Sequence, residues 1–210
     1  TGSAATVGKE ATLTVEPGVT VEMGETLYVD GYLQAVGTPT HPITFTRSGG
    51  MEFSPGSRGR LEHVLIQQNT MRAIEAWGTD LEIRYSTISN NADGIHASAS
   101  NVTIVQSTIA SNIAGGVTND AGSPPIIATN NWWGHASGPY HETLNPTGQG
   151  NQVSDNVDFV PWLTAPPTVP PPDKSGLLYG VTVATSGNPT QTVRYRYDAL
   201  NRLSNLASSG

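Results

Sequence analysis

The chain contains no cysteine, so disulfides and thiolate metal sites are excluded. It carries little charge, 13% of residues, against roughly 25% in an ordinary soluble domain. Its Lys and Arg residues number 10 and are scattered, under a net charge of −7. No basic stripe exists to follow a phosphate backbone, which argues against nucleic acid as a partner. No apolar run approaches the roughly 18 to 20 residues of a membrane-spanning helix. Helix signals are almost missing: no window holds apolar residues at i, i+3, i+4 and i+7 over three turns. The sequence begins at Thr1 without Met or a signal peptide, so it reads as a processed or partial chain whose targeting segment is not shown.

What is present is turn chemistry and alternation. The 210 residues include 23 Gly and 15 Pro, the composition of a turn-rich all-β protein with an uncharged polar surface. The length allows one sizeable domain plus an appendage. Apolar residues alternate through Thr12-Leu13-Thr14-Val15, Val19-Thr20-Val21-Glu22-Met23 and Ile43-Thr44-Phe45-Thr46. Pro17-Gly18, Gly24 and Asp30-Gly31 punctuate the runs, which predicts short strands joined by tight corners rather than hairpins.

A repeat runs through the middle. Leu61, Leu81 and Val102 are 20 and 21 residues apart, and each opens a β segment. The pairs Ala73-Ile74, Gly94-Ile95 and Gly116-Val117 follow at spacings of 21 and 22. A period near 20 with several short strands per unit predicts stacked coils. One coil cannot bury its inward Leu, Ile and Val alone, so stacking supplies both the core and the backbone partners. Asn91 and Asn112 fall at the same place in adjacent coils and are expected to form a side-chain amide ladder.

These features resemble the bacterial right-handed parallel β-helix repeat proteins. The opening, Leu13-Thr14-Val15-Glu16-Pro17-Gly18-Val19-Thr20-Val21 with Pro42-Ile43-Thr44-Phe45-Thr46, is similar to theirs. So is the close: Asn130-Asn131-Trp132-Trp133-Gly134, Ser137-Gly138-Pro139, Val157-Asp158-Phe159 and Pro161-Trp162-Leu163. The resemblance covers roughly residues 7–163. It implies an all-β, right-handed parallel β-helix and a secreted or surface location, without implying one activity. A solenoid end needs a cover for its apolar face and unpaired edges. Trp132, Trp133, Phe159 and Trp162 are the candidate cap.

Three regions follow: a capped β-helix over 1–163, a proline linker over 164–172, and a β-ribbon tail over 173–210. Five prolines between Pro166 and Pro172 favour an extended spacer of about 3.1 Å per residue. In the tail, Tyr195-Arg196-Tyr197-Asp198-Ala199-Leu200-Asn201-Arg202-Leu203 resembles a single unit of the RHS/YD repeat proteins. Arrays of such units build large shells, and one copy cannot. The tail is therefore either the start of a longer array or a ribbon that pairs with something else. Tyr195, Tyr197, Asp198, Arg202 and Leu203 are the candidate assembly residues.

β-Helix folds also host pectin-active lyases and hydrolases, whose sites need clustered carboxylates on an outer face. The best local group is Asp93, His96, Arg84 and Glu82. However, Asp93-Gly94 before an apolar residue is what a turn requires in any case, and the polygalacturonase signatures (paired Asp, Gly-His-Gly, Arg-Ile-Lys) are absent. His63, His135 and His141 lack partners at metal-ligand spacing, and no Asp-rich nonapeptide offers a calcium site. No catalytic residue, cofactor or metal is expected. Asn101-Val102-Thr103 matches the glycosylation acceptor pattern.

The expected function is a non-catalytic extracellular structural or adhesive scaffold. Its expected partner is itself, head-to-tail or by strand exchange, forming a filament or surface assembly. The alternatives are a carbohydrate-active or glycan-binding β-helix and the stalk of an RHS-type delivery protein.

Overall fold

Alternating strands with punctuated corners build a three-faced coil. The structure is a computed structural model. It describes residues 4–47 and 49–167 in full, and the backbone alone of residues 178–184, 191–197 and 203–209. The first coil contains β1 (Ala5–Val7), β2 (Thr12–Val15) and β3 (Thr20–Glu22). The second contains β4 (Leu27–Val29), β5 (Tyr32–Val36) and β6 (Ile43–Thr46). The third contains β7 (Met51–Phe53), β8 (Arg58–Glu62) and β9 (Val64–Gln67). The fourth contains β10 (Arg72–Trp77), β11 (Asp80–Arg84) and β12 (Thr87–Ser89), and the fifth β13 (Asp93–Ser98), β14 (Asn101–Val105) and β15 (Thr108–Ala110). Then come β16 (Val117–Asn119), β17 (Ile126–Ile127) and β18 (Val157–Asp158). Among the described residues there is no helix.

Each coil contributes one strand to each of three sheets. The first sheet runs β1-β4-β7-β10-β13-β16, the third runs β3-β6-β9-β12-β15, and the second carries β2, β5, β8, β11, β14, β17 and β18 in line. All coil-to-coil pairings are parallel, as in Leu81↔Val102 and Ile83↔Ile104. The expected stacked, all-β solenoid is what forms. Inward residues make apolar columns: Leu27-Met51-Ile74-Ile95-Val117 on the first sheet and Phe45-Ile66-Ile88-Ile109 on the third, all buried.

One expected alignment shifts. Leu61 does not stand over Leu81; it pairs with Ile83, and Gly59 pairs with Leu81. A Cβ at Gly59 would come within 2.5 Å of Leu81 Cδ1 and 2.6 Å of Phe53 Cε1. Neighbouring large side chains already fill that column, so the inward position takes glycine and the hydrophobic signal appears two residues late. The small residue ahead of each Ile has a similar origin. A Cβ on Gly94 would run into the Gly116 carbonyl.

The segments from Leu61 to Ile66, Leu81 to Ile88 and Val102 to Ile109 are not continuous strands. Each breaks at a left-handed residue: His63 (φ 50°), Tyr85 (φ 50°) and Gln106 (φ 54°), with Asn130 (φ 57°) next in the column. Single left-handed residues turn the chain sharply while leaving its N–H free to bond the next coil. Tyr85 N–H donates to Val105 O (3.3 Å) and Gln106 N–H to Asn130 O (3.1 Å).

Inside the corners, buried polar columns replace apolar ones. Val64 N–H donates to Ser86 Oγ, Ser86 N–H to Ser107 Oγ, and Ser107 N–H to Asn131 Oδ1. A second column joins Ser57 Oγ to Thr79 Oγ1 (3.0 Å), and Thr79 N–H to Ser100 Oγ (3.2 Å). The expected amide ladder is the third. Asn91 Nδ2 donates to Asn112 Oδ1 (2.9 Å), and Asn112 Nδ2 to Asn151 Oδ1 (3.2 Å). The same oxygens take backbone N–H groups: Asn91 Oδ1 from Asn69, Asn112 Oδ1 from Asn91. Unmade hydrogen bonds here would cost about 1–3 kcal/mol per group, so the columns lock coil register.

At the other extreme of the chain, β19 (Leu178–Ala184), β20 (Gln191–Tyr197) and β21 (Leu203–Ser209) form an antiparallel ribbon. The ribbon joins the second sheet at its N-terminal edge: β19 pairs antiparallel with β2, in the register Val181↔Val15 and Val183↔Leu13. Most of the proline linker, from residue 168 on, lies outside the described residues.

Candidate functional site

Outward residues on adjacent coils stand in register, so a face can gather residues that are far apart in sequence. On the first sheet the outward column reads Tyr28, Glu52, Glu75, His96, Thr118. Strands sit about 4.8 Å apart, which brings Glu52 and Glu75 together as neighbouring carboxylates. Burial is the main influence pushing the Glu52 carboxyl above the usual range, followed by the charges of Glu75 and Asp30. Glu75 differs in having a cation: Arg72 Nη1 lies 3.4 Å from its Oε1, and Arg72 Nε lies 3.1 Å from Asp93 Oδ2.

His96 closes the column. Its side chain is only 12% exposed, and Nε2 donates to Asp120 Oδ1 at 2.9 Å. The hydrogen bonds from His96 and then Ser98 hold the Asp120 carboxyl below the usual range. The His96 ring meets Trp77 edge-on, with centroids 5.1 Å apart. Its buried Nδ1 has no hydrogen-bond partner among the described residues. The arrangement offers a carboxyl with raised affinity for a proton beside a cation-paired carboxylate, next to an indole.

The second sheet presents a different surface. Arg58, Arg60, Asp80, Glu82, Arg84 and Tyr32 line an open depression of about 500 Å³. Two of its arginines are taken up in ion pairs: Arg60 with the neighbouring Glu62 at 2.9 Å, and Arg84 with Glu82. Arg58 lies over the Tyr32 ring at 5.5 Å, and Asn101 Nδ2 donates to Asp80 Oδ1 at 2.8 Å. The group Asp93, His96, Arg84 and Glu82 is therefore split. Asp93 and His96 belong to the first sheet, Glu82 and Arg84 to the second. No group of three or more His, Asp or Glu residues suited to holding a metal occurs among the described residues.

The aromatic residues of the closing motif gather at the C-terminal end. Trp133 is 0% exposed and Phe159 2%, both within the core cluster, and Trp162 packs against that cluster. Trp132 instead faces partly outward, bridged to Thr108. The Phe159 and Trp162 ring centroids lie 6.2 Å apart. His141, buried beside Phe159, accepts the Thr143 and Leu144 backbone N–H groups at Nδ1, at 3.2 and 3.1 Å. That histidine organises the loop over the end. His63 stacks on Tyr85 at a corner, and burial pushes its imidazole below the usual range.

Of the candidate assembly residues, Tyr195 and Tyr197 lie on β20 and Leu203 on β21. Asp198 and Arg202 fall outside the described residues.

The sequence reading missed Glu52, Glu75, Arg72, Trp77 and Asp120. Their outward positions do not repeat in type, and only coil register brings them together. The spacings of 23 and 21 residues from Glu52 to Glu75 to His96 carry the one available signal.

The family model described as a right handed beta helix region matches residues 40–190. No curated protein and no solved structure matches the chain.

Proposed function

Since the chain belongs to the right-handed β-helix family, we propose that it is a non-catalytic extracellular scaffold that associates with itself through its tail and its ends. One observation carries this reading: the stack is uninterrupted. Apolar columns and three buried polar columns tie coil to coil, which suits a rod that bears load and resists proteolysis. Most outward charges of the middle coils are taken up in pairs rather than converging on an empty cleft. The Trp133, Phe159 and Trp162 group serves as the cap of the C-terminal end. The test is negative-stain electron microscopy of the native chain at several concentrations. Regular filaments are expected at the upper end of the range, and uniform single particles throughout would overturn the self-association.

The Glu52, Glu75 and His96 column with Trp77 favours a second reading, a carbohydrate-active or glycan-binding face. Its acidic character suits neutral glycans over uronate polymers. Screening both classes separates the readings. Turnover or binding that is lost in Glu52→Gln would replace the scaffold.

A further inference from the structure

The two ends of the second sheet are unlike. At the C-terminal end, the loop over 134–163 folds across Trp133, and its own hydrogen bonds hold it there. Asn145 Nδ2 donates to Ser137 O and Pro139 O, at 2.8 and 2.7 Å. A neighbouring coil cannot stack directly on such a surface. At the N-terminal end, β2 accepts a strand, and the strand it accepts belongs to the C-terminal ribbon of the chain. Among the described residues, the first and third sheets simply end at β1 and β3.

β18 and β19 lie seven places apart in the second sheet. At 4.7–4.9 Å per strand that is roughly 33 Å. The segment 164–177 spans at most roughly 50 Å when fully extended. That contour length exceeds the return path along the rod, and it is equally sufficient for the β2 edge of another copy lying alongside.

From this geometry we infer that β2 is an exchangeable strand acceptor: the β19 ribbon occupies it in its own chain when copies are dilute, and in a second copy when they are crowded. The inference deepens the self-association reading and rests on it. The pairing is the same main-chain ladder in either case, so the interface needs no new chemistry. Tethering fixes the balance. A ribbon on a short linker meets its own acceptor at a local concentration in the millimolar range, so the closed chain is the resting form. Exchange that is not reciprocal leaves an acceptor free at one end of the assembly and a ribbon free at the other, which is the condition for an open polymer.

The linker length supplies the test. Deleting residues 164–172 leaves 173–177, which reach at most roughly 20 Å, too short for the return path of about 33 Å. The shortened full-length chain, examined by light scattering after size exclusion at micromolar concentration, is expected to be at least tenfold richer in dimers and polymers than the native chain. A second variant adds Val181→Pro and Thr182→Pro to the shortened chain. This removes adjacent β19 N–H groups, so one of the two lost donors serves the β2 ladder whichever way the strand is phased. That chain is expected to return to monomer. A shortened chain that stays monomeric overturns the exchange, and so does assembly that persists with the two prolines. Native filaments that survive the proline pair would overturn the exchange while leaving the scaffold standing.

Discussion

The N-terminal and C-terminal halves of the rod solve the same problem with different materials. In the first two coils and at the start of the third the corners are made by loops with glycine: Gly18 and Gly56 sit at φ 80° and 83°, and Gly31 and Gly37 press against backbone. Beyond residue 57 the corners are filled by buried Ser, Thr and Asn, bonded from coil to coil. The ends differ in the same sense. At the C-terminal end Trp133 and Phe159 are fully buried in the core cluster, whereas Ala11, Leu13 and Val21 at the other end are only partly buried. Interior register is thus specified most strongly where side chains, rather than loops, occupy the corners. The C-terminal half should be the cooperative nucleus and the N-terminal half the part that frays.

Three substitutions test that contrast. Trp133→Ala removes the largest fully buried side chain and is expected to cost about 3–5 kcal/mol in chemical denaturation. A cost below about 1 kcal/mol would mean that the end is not closed by packing. Asn112→Ala empties a position that accepts Asn91 N–H and Asn91 Nδ2 and donates to Ile88 O. Several buried groups lose their partners at once, so roughly 3 kcal/mol is expected. Hydrogen exchange should quicken at the Asn91 and Asn112 corners while β4 and β5 stay unchanged. Leu13→Ala, at the thinly covered end, should cost only about 1 kcal/mol, because its side chain is already partly in water. If it matches Trp133→Ala, the two halves are equally strong and the contrast fails.

The smallest effect belongs to the first-sheet column. Glu52 binds its proton more tightly in the folded chain than unfolded. Its favourable contribution is therefore complete below the unfolded value of 4.5 and is lost as pH rises through the higher folded value. Glu52→Gln is expected to stabilise the chain slightly at pH 7, by no more than about 0.5 kcal/mol in chemical denaturation, and to lose that advantage in acid. Asp120 has the opposite sign. Its folded value is depressed by His96, so its support is present above the unfolded value and fades as pH falls through the folded one. An unchanged pH profile for Glu52→Gln would remove the carboxylate pairing from the account.

The architecture was legible because stacking imposes period. Ile74, Ile95 and Val117 repeat since one coil must present the same inward face as the next, and Asn91 over Asn112 follows from the same rule. Where packing substitutes one coil's atoms for another's, the text misleads. Gly59 holds an inward place because Phe53 and Leu81 fill it, so Leu61 seemed to open a β segment when it stands near the end of its strand. Left-handed corners at His63, Tyr85 and Gln106 were hidden because those residue types do not announce positive φ, unlike Asn90 and Asn130. The outward column of Glu52, Glu75 and His96 was invisible for a different reason. Solvent-facing positions bear no packing constraint, so their grouping exists only once register is known.

The amide column has a further consequence for how such a rod could change over time. Each coil in it meets its neighbours through the same bonds, with Asn91 treating Asn112 as Asn112 treats Asn151. A duplicated coil would thus find matching surfaces above and below without any compensating change elsewhere. Length then becomes a heritable variable that moves in whole steps of about 4.8 Å, and the molecule can be lengthened by copying a stretch of gene rather than by redesigning a core.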